Sequence, residues 1–325
     1  MALTLPMRDG VTASCVALPA GHWPSLADFL AHRLPKVSHT DWLARMARGD
    51  VLDAQGQALP PAAPYVGGTR VYYYRSLPSE PTLPEFERIL FVDEHLVVAD
   101  KPHFMPVTPK GRYVQNSLLV RLRQQLGLPE LSPLHRIDRE TAGLVLFAVR
   151  AQDRHAYQHL FATRQVHKSY RAIAPVRADL SWPLTHRSKL ASQERFFVSH
   201  EVPGEANSET HMRLLATCPS PVQERDAPPK QRGLYALTPV TGKRHQLRVH
   251  MCALGLPIEG DQFYPQVLRG SDEAEDFASP LQLLAHELHF TDPITGDARR
   301  FVSQRRLNWP STWPQPQSEA APAGL

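Results

Sequence analysis

Three side chains that can exchange protons or pair with charged groups lie close together in the segment HRIDRETAGLVLFA, residues 135–148. His135, Arg136 and Asp138 are followed at once by an apolar run that predicts a buried strand. A carboxylate between a loop and a buried strand is either a turn or capping residue or a group held at the mouth of a cleft. Residue types alone favour the turn role for Asp138, so a catalytic role needs support from elsewhere in the chain.

A second polar cluster lies in TGKRHQLRVH, residues 241–250, where a predicted strand gives way to a predicted helix. It contains five basic or titratable side chains: Lys243, Arg244, His245, Arg248 and His250. The start of a helix is a natural place for anions. The cluster therefore indicates either part of an active site or a surface that faces phosphate without catalysis.

Several familiar site types do not fit this sequence. His245 and His250 are five residues apart, so they do not share a helix face as zinc ligands would. The sequence has no glycine-rich phosphate loop, no G-x-S-x-G nucleophile elbow and no obvious pair of glycosidase carboxylates. The 3 cysteines are far apart, which argues against a disulfide framework and a thiolate zinc site. We therefore expect no metal.

Composition is that of a soluble globular protein. Of 325 residues, 42% are hydrophobic and 21% charged, and no apolar run approaches the length of a membrane span. The first residues do not resemble a secretory signal, so we expect a cytoplasmic protein without a membrane partner. The net charge of +4 permits a polyanionic partner without requiring one.

Strands and helices are predicted in mixed order, without regular β-α-β alternation. Residues 88–102 predict two strands joined by a tight turn, 116–127 an amphipathic helix and 142–150 a buried strand. Residues 233–255 predict a strand, a turn and a helix. We expect an α+β fold with a mixed, mostly antiparallel central sheet and flanking helices.

Proline-rich stretches set the predicted boundaries. Pro78, Pro81 and Pro84 lie in one short stretch that suits an extended linker. Residues 218–233 predict a surface loop between two strands. We predict an N-terminal tail (1–18), a small α/β module (19–77), a linker (78–87), a large domain (88–308) and a disordered tail (309–325). The helices of the small module carry four basic residues, Arg33, Lys36, Arg45 and Arg48, which form either a solvated face or a face for a polyanionic partner.

The segment HRIDRETAGLVLFA resembles the signature of the RNA pseudouridine synthases of the large-subunit-rRNA and tRNA (RluA-like) family. That signature usually runs His-Arg-Leu-Asp-x-x-Thr-Ser-Gly-Leu. Four further segments resemble family blocks in the family's order: VVADKPHFMPV, KSYRAIA, TGKRHQLRVHMCALGLPIEGDQFY and LLAHELHFTDPITG. Because five ordered blocks match across residues 88–302, the chain is identified as a member of this family, with the pseudouridine synthase fold.

The departures from the family pattern are modest. Ile137 replaces the usual Leu and Ala142 the usual Ser, both conservative in shape. His103 and Phe104 stand where the family commonly has a small residue and Gly, so we expect a reshaped loop beside the cleft. The small module resembles a degenerate S4-type RNA-binding domain, because GDVLDAQGQAL at residues 49–59 approximates the usual Gly-x-Val-x-Val-Asn-Gly pattern.

The resemblance implies an isomerase that breaks the C1′–N1 bond of specific uridines in structured rRNA or tRNA and rejoins the base through C5. No redox step occurs and no atoms are lost, so we expect no cofactor, with RNA as the partner of a monomeric enzyme. Asp138 occupies the position of the family's essential Asp. Attack on the sugar, attack on C6 of the base and abstraction of a sugar proton all stay open, since each needs Asp138 ionised near the ribose.

The resemblance also implies roles for neighbouring residues. Arg248 matches the basic residue that pairs with the motif Asp, and Tyr170 the tyrosine that stacks on the target base. Arg136 matches the residue that fills the gap left by a flipped base, and Leu247 is expected beside the base. The other positions implied to bind substrate are His135, Thr141, Lys243, Arg244, His245 and Gln246.

An alternative from a different class is an RNA-binding protein that kept this fold and remodels RNA without catalysis. The presence of Asp138, Arg248 and Tyr170 favours the enzyme, since loss of any one would favour the silent protein. A hydrolytic glycosidase is a more distant alternative.

Overall fold

A computed structural model describes residues 5–77, 79–193, 198–220, 231–268, 270, 273 and 276–311. Most of the loop predicted at 218–233 and most of the tail predicted at 309–325 lie outside the described residues, as does Pro78 of the predicted linker. The chain forms two compact units. The first comprises Met1–Pro81 with Thr108–Pro129, and the second Thr82–Val107 with Glu130–Leu325.

In the residues that the structure describes, the first unit has a three-stranded sheet and three helices. Its elements are β1 (Ser14–Ala17), α1 (Leu26–Arg33), α2 (His39–Ala47), β2 (Val51–Leu52), β3 (Arg70–Tyr73) and α3 (Leu118–Leu126). The sheet is antiparallel in the order β1-β3-β2. Helices α1 and α2 begin where serine hydroxyls accept hydrogen bonds from backbone N–H groups at the N-terminus, Ser25 from Asp28 and Ser38 from Asp41.

Two domain boundaries predicted from the sequence differ from the boundaries of this unit. Residues 14–17 pair with β3, so they form a strand of the unit although the sequence predicts a tail over 1–18. Helix α3 and its flanks, residues 108–129, belong to the first unit although the sequence places them in the large domain. The physical reason is the buried face of α3, since Val120 packs in one apolar cluster with Val11 and Val114. Such long-range packing leaves no mark on local periodicity.

The described part of the second unit contains an 11-stranded mixed sheet and two helices. Its strands are β4 (Arg88–Val92), β5 (Leu96–Lys101), β6 (Ser132–Pro133), β7 (Ala142–Ala148), β8 (His167–Pro175), β9 (Leu184–Gln193), β10 (Val198–Val202), β11 (Ser208–Pro219), β12 (Gln231–Pro239), β13 (Leu283–Thr291) and β14 (Ala298–Val302). The helices are α4 (Arg154–Ala162) and α5 (Gln246–Ala253). The main path runs β10-β9-β11-β12-β8-β13-β7-β5-β4, with β14 on β13 and β6 on β7. The expected α+β fold with a mostly antiparallel sheet is confirmed.

One parallel pairing, between β7 and β13, lies at the centre of the sheet. All seven residues of β7 are buried, which explains their continuous apolar sequence. Gly143 has a φ of 112°, and a Cβ on it would lie 2.2 Å from the carbonyl oxygen of Ala285. Only glycine permits this approach, so Gly143 fixes the start of β7, and the turn before it, against β13.

No helix among the described residues is long and apolar enough to cross a membrane.

Candidate active site

Asp138 lies in the turn between β6 and β7. The backbone N–H of Thr141 donates to the carbonyl of Asp138 at 3.2 Å and closes this turn. The Asp138 side chain is 26% exposed, although the strand that follows is buried throughout. The turn therefore presents a carboxylate to solvent from a rigid base.

Arg248 brings a buried guanidinium to Asp138. Its side chain is 1% exposed, and its Nη1 lies 3.4 Å from Oδ2 of Asp138. Its Nε and Nη2 make a bidentate pair with Asp261 at 2.8 and 2.6 Å. Burial alone would lower the pKa of Arg248, but the hydrogen bonds and charge of Asp261, then the charge of Asp138, raise it above its usual range. The guanidinium is thus permanently charged beside Asp138.

Asp261 is a site residue that the sequence patterns did not indicate. Its side chain is 1% exposed, and Oδ1 also accepts hydrogen bonds from the backbone N–H groups of Phe263 and Tyr264 at 2.9 and 3.2 Å. It fixes the orientation of Arg248, because two hydrogen bonds leave the guanidinium plane little freedom. The signal available in the sequence was its position in GDQFY, at the end of the segment TGKRHQLRVHMCALGLPIEGDQFY that also carries Arg248.

Glu140 is a second carboxylate on the Asp138 turn. Its Oε1 lies 2.8 Å from Arg139, and its Oε2 lies 3.8 Å from Arg248. Burial would raise the pKa of Glu140, but Arg139 and then Arg248 lower it to about 2. Arg248 therefore faces three carboxylates, those of Asp138, Glu140 and Asp261.

Lys101, at the end of β5, supports the same turn. Its buried Nζ donates to the carbonyls of Pro102 at 2.9 Å and Arg139 at 3.0 Å. Burial lowers the pKa of Lys101 to about 7, against the opposing charge of Glu140. The amine holds the backbone of the turn through the Arg139 carbonyl. Lys101 therefore helps to fix the position of Asp138, the residue before Arg139.

Tyr170 lies on β8, beside β13 in the sheet. Its ring is half-buried against an apolar cluster that includes Leu247, which is 7% exposed. Burial, and then the charge of Asp138, raises the pKa of Tyr170 above its usual range. The hydroxyl is therefore neutral at physiological pH. Because the charge of Asp138 affects its pKa, Tyr170 lies near Asp138.

His245 and Gln246 shape the start of α5. His245 has a φ of 54°, its Nδ1 lies 2.9 Å from the Tyr264 hydroxyl, and its Nε2 lies 3.8 Å from Oδ1 of Asp138. Burial lowers the pKa of His245 against the pull of Asp138. The Gln246 side chain is buried, and its amide donates to the Glu209 carbonyl and the Thr210 hydroxyl, both at 2.9 Å.

Gln246 was expected to bind substrate, but the structure gives its side chain a supporting position. Its Oε1 accepts a hydrogen bond from the backbone N–H of Lys243 at 3.1 Å. With its amide already donating to two protein oxygens, Gln246 holds the turn before α5. Lys243 and Arg244 have exposed side chains in that turn.

His135 was also expected to bind substrate, and its ring is turned toward the sheet. Nε2 accepts a hydrogen bond from the Leu146 N–H at 3.1 Å, and the ring stacks on Phe161 with centroids 4.8 Å apart. Burial lowers the pKa of His135 to about 3, so it is neutral. Arg136, one residue later, is exposed, and Thr141 is buried at 2% exposure. The turn thus directs Arg136 and Asp138 outward and His135 inward.

One group of side chains among the described residues has metal-ligand types close together. His186, Glu201 and His250 bring one nitrogen or oxygen each within 4.8 Å of one another. The ring nitrogens of His250 already face hydroxyl groups, Nδ1 that of Thr210 and Nε2 that of Ser208, both at 2.9 Å. This arrangement fits a buried hydrogen-bond network better than a metal centre.

The fold and the site define an enzyme built around one partly exposed carboxylate beside a buried arginine. The family profile described as RNA pseudouridylate synthase matches residues 95–253. A dual-specificity RNA pseudouridine synthase RluA from Vibrio vulnificus is 35% identical over 233 residues, or 66% of this chain and 80% of the relative. A tRNA pseudouridine synthase C from the same organism is 31% identical, covering 69% of this chain and 96% of the relative.

A solved structure, human RNA pseudouridylate synthase domain containing 1, shares the fold. The two align with a TM-score of 0.54 at 22% identity, covering 70% of this chain and 86% of the human chain. The chain belongs to the RNA pseudouridine synthase family, as the sequence resemblance implied. It is an isomerase that converts uridine in RNA to pseudouridine.

Proposed function

We propose that this enzyme isomerises specific uridines in structured rRNA or tRNA, with Asp138 as the essential catalytic residue. The observation that carries the proposal is the Asp138 carboxylate, 26% exposed on a rigid turn and 3.4 Å from a guanidinium that is 1% exposed. The Vibrio vulnificus relatives bear the names of a dual-specificity RNA enzyme and a tRNA enzyme, which supports substrates of either kind.

The reaction needs an ionised carboxylate at the ribose. The C1′–N1 bond breaks, a C1′–C5 bond forms, the proton on C5 leaves to water, and N1 gains a proton, so atoms balance without a co-reactant. Attack by Asp138 on the sugar, attack on C6 and abstraction of a sugar proton each begin from the carboxylate. Arg248 lies beside the Asp138 carboxylate, and its bidentate pair with Asp261 holds Arg248 in that position.

The target base must leave its stack to reach Asp138, which costs a few kcal/mol. Arg136 is exposed two residues before Asp138, and in our proposal it fills the gap that the flipped base leaves. Tyr170 supplies a ring for the base to stack on, with Leu247 beside it. Lys243 and Arg244 lie exposed in the turn before α5, where they are placed to meet phosphate.

The first unit is proposed to contribute RNA affinity as an S4-like module. Arg33, the last residue of α1, and Lys36, which follows the helix, are exposed, which suits phosphate contact. Arg45 donates to the Ser76 carbonyl at 2.9 Å, and Arg48 pairs with Asp50 at 3.1 Å. Two of the four basic residues, Arg45 and Arg48, thus make contacts within the unit. In our proposal Arg33 and Lys36 contact the RNA.

We also propose a cytoplasmic, monomeric enzyme that needs no cofactor. The chemistry supports the last point, because the isomerisation is redox-neutral and loses no atoms. Activity that survives prolonged dialysis against EDTA, and sedimentation at the mass of one chain, are the expected results. Loss of activity restored by a divalent metal would contradict the cofactor-free proposal.

Tritium release tests the proposed function. Transcripts of large-subunit rRNA domains and of tRNAs, labelled with [5-³H]uridine, are incubated with the purified full-length enzyme. We expect release of tritium to water from at least one RNA, and pseudouridine at a defined position on sequencing. Tight RNA binding without release from any transcript would favour the catalytically silent RNA-binding protein.

A further inference from the structure

Phe104 adopts a backbone conformation that its side chain disfavours. Its φ is 65°, in the left-handed region where a Cβ is crowded and glycine is usual. Its side chain is nonetheless buried, with the residue 7% exposed, and its ring meets Phe277 edge-to-face with centroids 5.0 Å apart. A bulky residue that keeps an unfavourable φ points to a role for the ring itself.

The segment that carries Phe104 holds the Asp138 turn. His103 Nδ1 lies 2.7 Å from the carbonyl of Glu140, so this nitrogen carries the proton and donates it. Lys101 donates to the neighbouring carbonyl of Arg139 at 3.0 Å. Two successive carbonyls after Asp138 are therefore fixed by side chains from residues 101–103.

The segment that carries Phe277 packs beside Asp261, which binds Arg248. Three residues after Phe277, the Pro280 carbonyl lies 2.3 Å from where a Cβ on Gly260 would be. The N–H of Gln282 donates to the Glu259 carbonyl at 2.8 Å. Residues 280–282 thus contact Glu259 and Gly260, and the next residue, Asp261, accepts hydrogen bonds from Arg248.

We propose that Phe104 and Phe277 form an aromatic clasp that positions Asp138 against Arg248. The clasp joins two segments that hold the site. Residues 101–103 hold the Asp138 turn, and the segment that follows Phe277 contacts the residues next to Asp261. Both residues are positioning residues, because Phe104 acts through the 101–103 segment and Phe277 through residues 259–261. This inference rests on the proposed function and concerns how that site is assembled.

The clasp predicts effects on turnover that are separable from effects on folding and binding. We expect Phe104→Gly to lower kcat by about 10- to 100-fold, since small misplacements of reacting groups have effects of this size. KM should change by less than about twofold, because the RNA-facing side chains are kept. The thermal midpoint should fall, because the loss of a buried ring outweighs the relief of the unfavourable φ, so kcat is measured well below the midpoint, where the variant is folded.

Phe277→Ala is the second variant. Phe277 has no positive φ, so this substitution removes the ring without changing backbone strain. It should lower kcat to a similar extent, and the double variant should be no worse than either single variant, because both remove one contact. Phe277→Tyr, which keeps the ring, should retain kcat. Phe86, 59% exposed in the same unit, gives the matched control Phe86→Ala, which should turn over normally.

Wild-type kcat in Phe277→Ala, or losses that multiply in the double variant, would overturn the clasp. Those outcomes are distinguishable from failure of the proposed function, which would show as no tritium release by the wild-type enzyme on any RNA. All variants are compared on the transcript that the wild-type enzyme modifies.

Discussion

Arg248 donates two hydrogen bonds to Asp261, at 2.8 and 2.6 Å, and reaches Asp138 at 3.4 Å with its remaining terminal nitrogen. The stronger partner is thus the buried carboxylate, and the catalytic one receives the weaker contact. This division leaves the Asp138 carboxylate oxygens free to approach substrate. A tight bidentate pair between Arg248 and Asp138 would instead occupy the carboxylate oxygens needed for chemistry.

Breaking the Arg248–Asp261 pair should cost stability as well as activity. Arg248→Ala leaves the Asp261 carboxylate buried without its counter-charge, a change that typically costs about 3–5 kcal/mol. We expect the free energy of unfolding in urea to fall by an amount in this range, with tritium release lost. Arg187→Ala, which removes an exposed partner of Glu209, should leave both quantities nearly unchanged. Equal stability of the two variants would contradict the role assigned to Asp261.

His135 should support the fold without contacting substrate. Its ring accepts from the backbone of β7 and stacks on Phe161, so His135→Ala removes a hydrogen bond and ring packing. We expect a lower thermal midpoint, with KM for RNA unchanged within about twofold. Arg136→Ala, one residue away but exposed, should show the reverse: reduced turnover of RNA at an unchanged midpoint. A KM effect in His135→Ala at normal stability would restore the substrate-binding role.

Folding stability should fall as the solution is acidified through the range where histidine titrates. Burial, then the nearby His186, lowers the pKa of His250 to about 4, whereas an unfolded histidine titrates near about 6.5. The unfolded chain therefore binds a proton first as pH falls, and stability decreases from about pH 6.5 until His250 titrates in the folded state.

Urea unfolding at successive pH values between 7 and 4 measures this effect, with a slope of up to about 1.4 kcal/mol per pH unit for one such histidine. His250→Asn should reduce the slope, although it lowers stability at pH 7 by breaking the bonds to Thr210 and Ser208. An unchanged slope in that variant would mean that His250 titrates normally in the folded protein.

Tyr170 should bind the target base through its ring, with its hydroxyl neutral. Stacking of a base on an aromatic side chain contributes about 1–3 kcal/mol, so Tyr170→Ala should raise KM by about tenfold or more. Tyr170→Phe keeps the ring and should leave KM near the wild-type value, so any fall in kcat reports the hydroxyl. Because the pKa of Tyr170 is raised, no loss of activity from its ionisation is expected up to pH 10. A normal KM in Tyr170→Ala would place the base elsewhere.

Arg33 and Lys36 should set part of the salt dependence of RNA binding. Each phosphate contact that is lost reduces the slope of log affinity against log salt by roughly 0.7–0.9. The double substitution Arg33→Glu and Lys36→Glu should weaken binding and flatten this slope, while kcat at saturating RNA holds. Arg88→Glu, an exposed basic residue on β4, is the control. A slope unchanged from wild type would argue that the first unit serves another partner.

Substitution is preferable to deletion of the first unit. Residues 108–129 pack with residues 1–81, so removing the N-terminal part of the chain would expose the apolar face of α3. A truncated chain would then report misfolding in place of affinity. The full-length protein with altered charges avoids this problem.

The sequence predicted the elements better than their partners. The apolar run at 142–148 marks β7 because a strand buried on both faces needs no polar residue, and Gly127 marks the end of α3 because its φ is 66°. Arg248 could be placed beside Asp138 only through the family resemblance, since 110 positions separate them. Asp261 and Glu140 were missed, because a buried carboxylate is recognised by its partners and these come from distant segments.

The sequence also could not predict the direction in which a side chain points. His135 and Asp138 lie in one turn, yet one points into the sheet and the other to solvent, a difference set by the closure of the turn at Thr141. The sequence showed that Phe104 replaces a usual glycine. It could not show that the chain keeps the glycine-like φ of 65° and directs the ring against Phe277.

The most direct test of the account is single-turnover tritium release by Asp138→Asn, measured beside its RNA affinity. Asn is nearly isosteric with Asp and keeps the turn, but it lacks the charge that every proposed route requires. We expect a wild-type thermal midpoint, wild-type RNA affinity and no tritium release above background from [5-³H]uridine RNA. Substantial release by the folded variant would contradict the central claim that the Asp138 carboxylate performs the chemistry.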